Sequence, residues 1–264
     1  MKVEIKAVLV AALYVLMLTA GYSLIKDDYL ARTVFGDLWF IVGDLGLLWL
    51  TLEMTKHFSG DSKKVWTMVL IGFSGWFVGD VIWAFYELVL NTISPYPSIA
   101  DLSYIFGSLS LAVGFFAEAK RIRSYSLAKA AVAVLLGIAL FYSMSLAPIT
   151  SIIGDAEVGA IEKAVSVAYP VSDALMFSAA AYLALIYGGI FRRAWLLLSA
   201  GAMAWAFSDS LWAELMWLEI YDANYFLVDH VWLIGYALMG LGIWSILELT
   251  RTLPGLAKAK KPAR

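Results

Sequence analysis

The stretch GWFVGDVIWAFYE at residues 75–87 decides the fold, because AWAFSDSLWAELM at residues 204–216 repeats its pattern. In the first stretch Trp76, Asp80 and Trp83 are spaced by four and three residues. This spacing places them on one face of an α-helix. The sequence therefore predicts two similar helices, each with an Asp between two Trp side chains.

The composition of the whole chain indicates that these helices lie in a membrane. Of the 264 residues, 62% are hydrophobic and only 15% are charged, and the mean hydropathy is +0.81. Soluble domains carry about 25% charged residues and cannot bury this much apolar surface. These values exclude a soluble enzyme, a nucleic-acid-binding protein and a disordered chain.

Apolar runs long enough to cross about 30 Å of hydrocarbon occur eight times. The predicted helices cover residues 7–25, 34–55, 65–91, 99–119, 127–148, 165–190, 194–218 and 226–249. We interpret the first run as a retained helix, since no small-x-small cleavage site follows it. The link at 149–164 is predicted to form a short surface helix. The expected fold class is thus an all-α, polytopic membrane bundle of eight transmembrane helices.

The distribution of basic residues predicts the orientation. With both termini in the cytoplasm, sixteen of the nineteen Lys and Arg residues lie on the inner side, and only Lys26, Arg32 and Lys163 lie outside. Most acidic residues lie in the outer half. We expect a multi-pass protein of the cell membrane, with the basic cytoplasmic tail 252–264 against anionic membrane lipid.

An internal repeat organises the chain when residues 66–123 are laid over 195–251. The matched pairs are Trp66 and Trp195, Gly72 and Gly201, Trp76 and Trp205, Asp80 and Asp209, Trp83 and Trp212, Ala84 and Ala213, and, after one skipped residue, Asp101 and Asp229, Gly107 and Gly235, Gly114 and Gly242, and Arg123 and Arg251. The sequence predicts a single membrane domain, 1–251, of two parallel four-helix repeats, 1–123 and 124–251.

Each even-numbered predicted helix carries an Asp near its outer end. These are Asp37, Asp101, Asp173 and Asp229. We interpret them mainly as residues that cap or complement helix N-termini. Before the fourth helix, Ser98 is a predicted N-cap with Asp101 three residues later, a capping-box pattern.

Three acids lie deeper in the predicted spans, namely Asp44, Asp80 and Asp209. No basic residue occurs at their depth, so they must be protonated, hydrogen-bonded, hydrated or bound to a cation. An intramembrane carboxylate costs about 2.5–3.5 kcal/mol to insert and is usually functional. The alternative is structural, with Asp80 and Asp209 bonding to each other across the pseudo-twofold axis.

We therefore predict an outward-facing, acidic, Trp-lined pocket that binds a small or lipid-like ligand, and aromatic faces beside carboxylates suit a cationic or amphiphilic one. The candidate ligand-binding residues are Asp44, Trp76, Asp80, Trp83, Glu87, Asp101, Tyr104, Trp205, Asp209, Trp212, Asp229 and His230. No cofactor or metal motif occurs, and the chain lacks Cys and Gln, a composition typical of thermophiles.

Two resemblances suggest functions. Gly79-Asp80 through Trp83 and Glu87, followed by Pro95-Tyr96-Pro97-Ser98 with Ala100-Asp101 and Tyr104, is similar to eight-helix membrane modules at the N-terminus of prokaryotic signalling proteins, including GGDEF-type ones. This resemblance implies a sensory or anchoring role. Because no output domain follows Arg251, we expect the chain to act through a cytoplasmic or membrane protein partner.

The second resemblance covers the layout of most of the chain. Gly79-Asp80, Gly201-Ala202 and Ser208-Asp209-Ser210 resemble lysoplasmalogenase-like membrane proteins. It implies hydrolysis of vinyl-ether lysolipids, with Asp80 and Asp209 in the polar site. The leading hypothesis is a ligand-binding sensory module. The alternative is a membrane hydrolase in which one Asp is a general acid and the other orients water.

Overall fold

The computed structural model describes residues 5–92, 96–122 and 125–252, except for the side chain of Asp222. These residues form nine α-helices and one short 3-10 turn, Gly189–Phe191, and contain no strand. The helices are α1 Ile5–Ile25, α2 Tyr29–His57, α3 Gly60–Leu88, α4 Ile99–Ile122, α5 Leu127–Met144, α6 Leu146–Gly154, α7 Ala160–Ile186, α8 Arg192–Trp217 and α9 Tyr221–Thr252. The predicted all-α class is confirmed for the described chain.

The eight long helices match the predicted ones, but most extend further. Helix α2 begins at Tyr29 because the side chain of Asp28 accepts a hydrogen bond from Ala31 N, 3.0 Å away. The predicted surface helix exists, although it lies at Leu146–Gly154, directly after α5, and not within 149–164. Arg123 and nearly all of the predicted basic tail lie outside the described residues.

Seven of the long helices in the described chain are long and apolar enough to cross a membrane. Helix α8 is less apolar than these seven, because Ala, Ser and Asp209 replace aliphatic residues along it. Large apolar side chains cover the outside of the bundle, as at Leu135 and Phe106, which are 63% and 57% exposed. The chain thus has the make-up of a polytopic membrane protein.

Six of the helices form a closed ring. Going round it, α2 packs on α3, α3 on α4, α4 on α7, α7 on α8, α8 on α9, and α9 on α2. Helix α1 lies outside against α2 and α9, whereas α5 lies against α7 and α8. The two helices outside the ring, α1 and α5, therefore pack against different pairs of ring helices.

The pairs α3–α4 and α8–α9 approach each other most closely through glycines. The matched contacts are Gly72 with Gly107 and Leu111, and Gly201 with Gly235 and Met239. A Cβ atom added at Gly72 would lie 2.6 Å from Leu111 Cγ, and one added at Gly201 would lie 2.6 Å from Met239 Cγ. The same close helix packing is thus built twice from matched positions.

Indole rings join α3 and α8 across the middle of the ring. The matched Trp residues meet in pairs: Trp66 with Trp195 at 5.6 Å between ring centroids, Trp76 with Trp205 at 4.0 Å, and Trp83 with Trp212 at 6.3 Å. The middle pair is stacked, with 12° between the ring planes. These side chains set the distance between the two central helices.

Candidate functional site

The burial of the inward-facing residues of α3 and α8 changes at the stacked indoles of Trp76 and Trp205. Residues on one side of the stack are buried, and several on the other side are partly exposed. Both side chains are buried, at 0% and 5% exposure. On the same face of α3, the residues before Trp76, such as Phe73, are also buried, whereas Asp80 is partly exposed. Asp80 is thus less buried than Phe73 and Trp76, although it lies on the same face of α3.

The same change occurs on α8. Leu198 and Ala202 are completely buried, whereas Asp209 and Trp212, further along that face, are partly exposed. Trp83 and Glu87 are partly exposed at the corresponding height of α3. We use the name acidic cleft for this group of partly exposed side chains, Asp80, Trp83, Glu87, Asp209 and Trp212, and the name floor for the buried Trp76–Trp205 stack beside it.

Asp80 is held by hydroxyl groups from two other helices. Tyr104 on α4 donates a hydrogen bond to Asp80 Oδ1 at 2.6 Å, and Tyr236 on α9 lies 3.3 Å from Oδ2. Tyr236 Oη is also 3.0 Å from Asp44 Oδ1. The Tyr236 hydroxyl therefore lies between the carboxyl groups of Asp44 and Asp80. A hydroxyl donates a single proton, so both contacts are hydrogen bonds only when one of the two carboxyl groups is protonated.

Asp209 has an analogous environment. Trp232 Nε1 on α9 donates to Asp209 Oδ1 at 2.6 Å. Trp232 is the residue that the repeat matches with Tyr104. Matched positions therefore supply a donor to each Asp. The charges of Asp80 and Asp209 also act on each other.

Two buried acids lie near the cleft Asp residues. Asp44 on α2 shares the Tyr236 hydroxyl with Asp80, and Asp173 on α7 is near enough to Asp209 for their charges to interact. Asp44 and Asp173 are 0% and 2% exposed. One oxygen of each, Asp44 Oδ2 and Asp173 Oδ1, has no hydrogen-bond partner. Asp44 and Asp80 thus form a carboxyl pair with one buried and one partly exposed member.

Three of the four Asp residues interpreted as helix caps have another role. Helices α2, α7 and α9 begin eight or more residues before Asp37, Asp173 and Asp229, so the capping prediction is wrong for these three. Asp101 does cap α4, since it accepts a hydrogen bond from Ser98 N while Ser98 Oγ accepts one from Ala100 N at 3.2 Å. The predicted capping box is confirmed.

Asp101 and Asp229 are buried and fully used by structural contacts. The second oxygen of Asp101 accepts a hydrogen bond from Tyr169, at 2.8 Å. Asp229 accepts hydrogen bonds from Tyr22 at 2.6 Å and from Tyr221 at 3.2 Å. Both carboxyl groups tie helices together and leave no oxygen for a ligand.

His230 lies apart from Asp80. Its Nε2 atom is 2.7 Å from Thr19 Oγ1, its Nδ1 atom is 2.6 Å from Phe226 O, and its ring stacks on that of Phe226. Both ring nitrogens thus have partners on α1 and α9, and His230 fixes the peripheral helix α1 to the ring.

In the described chain no Lys, Arg or His side chain forms an ion pair with Asp44, Asp80, Asp173 or Asp209. Ion pairs such as that between Glu118 and Arg121, at 2.6 Å, lie at the opposite end of the bundle. Among the described residues, no group of three or more His, Asp or Glu side chains is arranged to hold a metal ion. The cleft is therefore a purely acidic and aromatic site.

The loop before α4 closes one side of the cleft. Tyr96 lies 6.2 Å from Trp212 and 6.5 Å from Tyr169 between ring centroids, and its hydroxyl is 2.7 Å from Ser166 Oγ. Burial raises the pKa of Tyr96 to about 12. The hydroxyl therefore stays protonated at any physiological pH and holds this loop to α7.

Two shallow surface pockets, of about 280 and 310 Å³, lie at the basic end of the bundle. One is lined by Gly60, Lys63 and Lys64, and the other by Lys120 and Tyr125. Neither contains a residue of the acidic cleft. They lie at the end where the positive-inside pattern predicts lipid headgroups.

Sequence reasoning missed three residues that shape the site, namely Asp173, Trp232 and Tyr236. The position of Asp173 near the outer end of its predicted helix points only to a cap or to the helix dipole. Trp232 could have been found from the repeat, since it matches Tyr104. Tyr236 breaks the repeat, because its match is Ser108, and only the three-dimensional contact with Asp44 shows its importance.

The chain matches no protein-family model, no curated protein and no solved structure. Its function must therefore be argued from the contacts described above.

Proposed function

We propose that this chain is an eight-span membrane protein whose acidic cleft opens to the outside and binds a small or lipid-like ligand, as a sensory module acting with a protein partner. The observation that carries the proposal is the abrupt change in burial above the Trp76–Trp205 floor. Below it the inward faces of α3 and α8 are dry, and above it Asp80 and Asp209 are partly exposed.

The eighth span in this proposal is α8. Its 26 residues correspond to about 39 Å of helix, enough to cross a bilayer. It packs between α7 and α9, both of which are candidate spans, and runs antiparallel to each. Its polar residues include Ser208 and Asp209, which hydrogen-bond Val228 O and Trp232 Nε1 on α9, and these account for part of its lower hydropathy.

The two-repeat architecture is supported by contacts that occur twice. Matched indoles pair across α3 and α8, matched glycines pack α3 on α4 and α8 on α9, and matched donors hold Asp80 and Asp209. A duplicated four-helix unit with a twofold axis along the membrane normal accounts for all three. The cleft then lies on the axis, between the repeats.

The outward orientation rests on the basic residues. Lys56, Lys63, Lys64, Lys120 and Arg192 all lie at the end of the bundle away from the cleft. The positive-inside rule places that end in the cytoplasm. The cleft therefore faces outward, where a receptor-like module meets its ligand.

The absence of Cys from the chain allows a direct test. A single cysteine at Met216, on the cleft face of α8, is labelled in intact cells with a cationic trimethylammonium or an anionic sulfonate methanethiosulfonate reagent. Phe207→Cys, on the opposite face and 40% exposed, is the matched lipid-facing control. An acidic, water-filled cleft concentrates cations, so the cationic reagent should label Met216→Cys at least 10-fold faster.

Three results decide this proposal. Preferential cationic labelling of Met216→Cys that is lost when Asp80 and Asp209 become Asn supports it. Equal labelling by both reagents contradicts an acidic cleft. Labelling of Met216→Cys only in inverted vesicles shows that the cleft faces the cytoplasm and contradicts the orientation.

A hydrolase of ether or vinyl-ether lysolipids is the second candidate, and the Asp44–Asp80 pair favours it. A carboxyl pair that shares a proton provides a general acid beside an anionic carboxylate. In that function Asp80 protonates the vinyl ether of the lysolipid, while Asp209 orients the attacking water. The general-acid role needs Asp80 at the substrate, which its partial exposure allows.

Release of aldehyde from lysoplasmalogen by the purified protein distinguishes the two functions. A hydrolase gives release that Asp80→Asn and Asp209→Asn each reduce by at least 100-fold. Glu157→Gln, an exposed acid in the α6–α7 link, is the control and should leave release unchanged. If the release of aldehyde does not depend on Asp80 or Asp209, the hydrolase candidate is excluded and the binding function remains.

A further inference from the structure

We infer that the acidic cleft binds an organic ammonium ion, and that this ion displaces the proton held between Asp44 and Asp80. The inference rests on the proposed function and specifies the ligand class and the exchange that accompanies binding. It is carried by the buried carboxyl pair, by the unpartnered oxygen of Asp44, and by the indoles beside Asp80.

The geometry of the pair explains why a proton is stored there. Asp44 is fully buried, yet its Oδ2 atom has no hydrogen-bond partner. Its other oxygen shares the Tyr236 hydroxyl with Asp80 Oδ2, at 3.0 and 3.3 Å respectively. Two anionic carboxylates cannot share this space without a compensating charge, so one proton stays while the cleft is empty.

Phenols and further carboxyl groups surround the pair. The titratable groups that act on Asp44 and Asp80 are Tyr14 from α1, Tyr104 from α4 and Tyr236 from α9, together with the carboxyl groups of Asp37 on α2 and Asp209 on α8. Only Asp44 and Asp80 share one hydroxyl group, that of Tyr236. We therefore assign the proton that a bound cation replaces to this pair, and the Asp44→Asn variant distinguishes it from a proton on Asp37 or Asp209.

The lining of the cleft selects an organic ammonium ion over a metal ion. Trp83 and Trp212 stand at 81° to each other, 6.3 Å between ring centroids, immediately beyond the two cleft Asp residues. An indole face attracts an ammonium group, and a carboxylate supplies the opposite charge. A metal ion needs several convergent oxygen ligands, and no such group of three occurs in the described chain.

The exchange balances in charge and protons. In the empty cleft the pair holds one proton and one negative charge. When the ammonium ion approaches Asp80, the proton leaves to water and both carboxyl groups become anionic. One positive charge enters the cleft as another leaves it. Linkage then requires the affinity for the cation to increase 10-fold per pH unit wherever the empty pair is protonated.

Titration calorimetry of the full chain in neutral maltoside micelles tests this inference, with benzyltrimethylammonium as the probe. The dissociation constant is measured from pH 5 to pH 9, in two buffers of different ionisation enthalpy. We expect the affinity to increase about 10-fold per pH unit over part of this range. The heat should differ between buffers by about one proton released per cation.

Asp44→Asn separates proton exchange from binding. Its amide neither takes up nor releases a proton, so Asp80 stays anionic without a shared proton. This variant should bind the probe with an affinity that does not change with pH and with no buffer-dependent heat. Asp80→Asn should weaken binding at least 10-fold, whereas Glu157→Gln should behave as wild type. Size-exclusion profiles confirm that each variant is folded.

The outcomes distinguish this inference from the proposed function. Binding that is independent of pH in the wild-type chain overturns the proton exchange but leaves a ligand-binding cleft. Failure of the probe to bind overturns the ligand class, while cysteine labelling at Met216 still decides whether the acidic cleft exists. If Asp44→Asn keeps the full pH dependence, the proton comes from another group and the inference is wrong.

Discussion

Gly201→Ala tests the close packing of α8 on α9, on which the position of Asp209 depends. A methyl group at this position lies 2.5 Å from Gly235 O and 2.7 Å from Met239 N. Ordinary contacts are about 3.5 Å, so the two helices must separate by up to roughly 1 Å. Both neighbouring atoms belong to the backbone of α9 and cannot turn aside.

The magnitude follows from two opposing contributions. Overpacking of a close contact costs about 1–3 kcal/mol. Alanine is a better helix former than glycine by about 1 kcal/mol, which partly offsets this cost. Gly46→Ala on α2 is the matched control, because nothing lies within 4 Å of its added methyl group. Both variants gain this helix propensity, so their unfolding free energies should differ by the overpacking cost alone, about 1–3 kcal/mol.

Thermal unfolding in detergent, followed by circular dichroism, measures this difference. For a chain of this size, 1–3 kcal/mol corresponds to roughly 2–12 °C in Tm. Gly201→Ala should melt lower than Gly46→Ala by this interval. If Gly201→Ala melts at the same temperature as Gly46→Ala or above it, α8 and α9 do not approach as described, and the argument from matched glycines fails.

Two further predictions concern contacts away from the cleft. Arg121→Ala should destabilise the chain by about 3–5 kcal/mol, because it leaves the buried carboxylate of Glu118 without its ion pair. The control Lys64→Ala removes an exposed ion pair and should not shift the Tm measurably. A double-mutant cycle of Trp76→Leu and Trp205→Leu should give a coupling of about 1 kcal/mol from the stacked indoles, measured by the same thermal unfolding; additive effects contradict the stack.

The helices were predictable from sequence because lipid-spanning runs are long and apolar, and their order along the chain is correct throughout. Their ends were less predictable, since the first turns of α2 and α9 are polar and lie outside the apolar windows. The misplaced starts of α2 and α9 also led to the wrong interpretation of Asp37 and Asp229 as helix caps. A helix that begins at Tyr29 places Asp37 in its third turn, where it cannot accept hydrogen bonds from free N–H groups.

Part of the candidate site could be predicted, because the repeat singles out Asp80, Asp209 and the Trp residues that pair across the bundle. The rest depends on contacts between distant segments. Nothing in the sequence places Asp44 beside Tyr236, which lies 192 residues further along. The different positions of α1 and α5 likewise have no sequence pattern, since both are uniformly apolar helices.

The closure of the ring by α9 on α2 has a consequence for biogenesis. Asp44 is inserted before its hydroxyl partner Tyr236, which belongs to α9. A nascent chain that has released α8 and not yet α9 holds Asp44 and Asp209 in lipid without these partners, Tyr236 and Trp232. Helix α9 must therefore be inserted before either acid is satisfied, and a product that stops before α9 leaves both carboxyl groups without these donors.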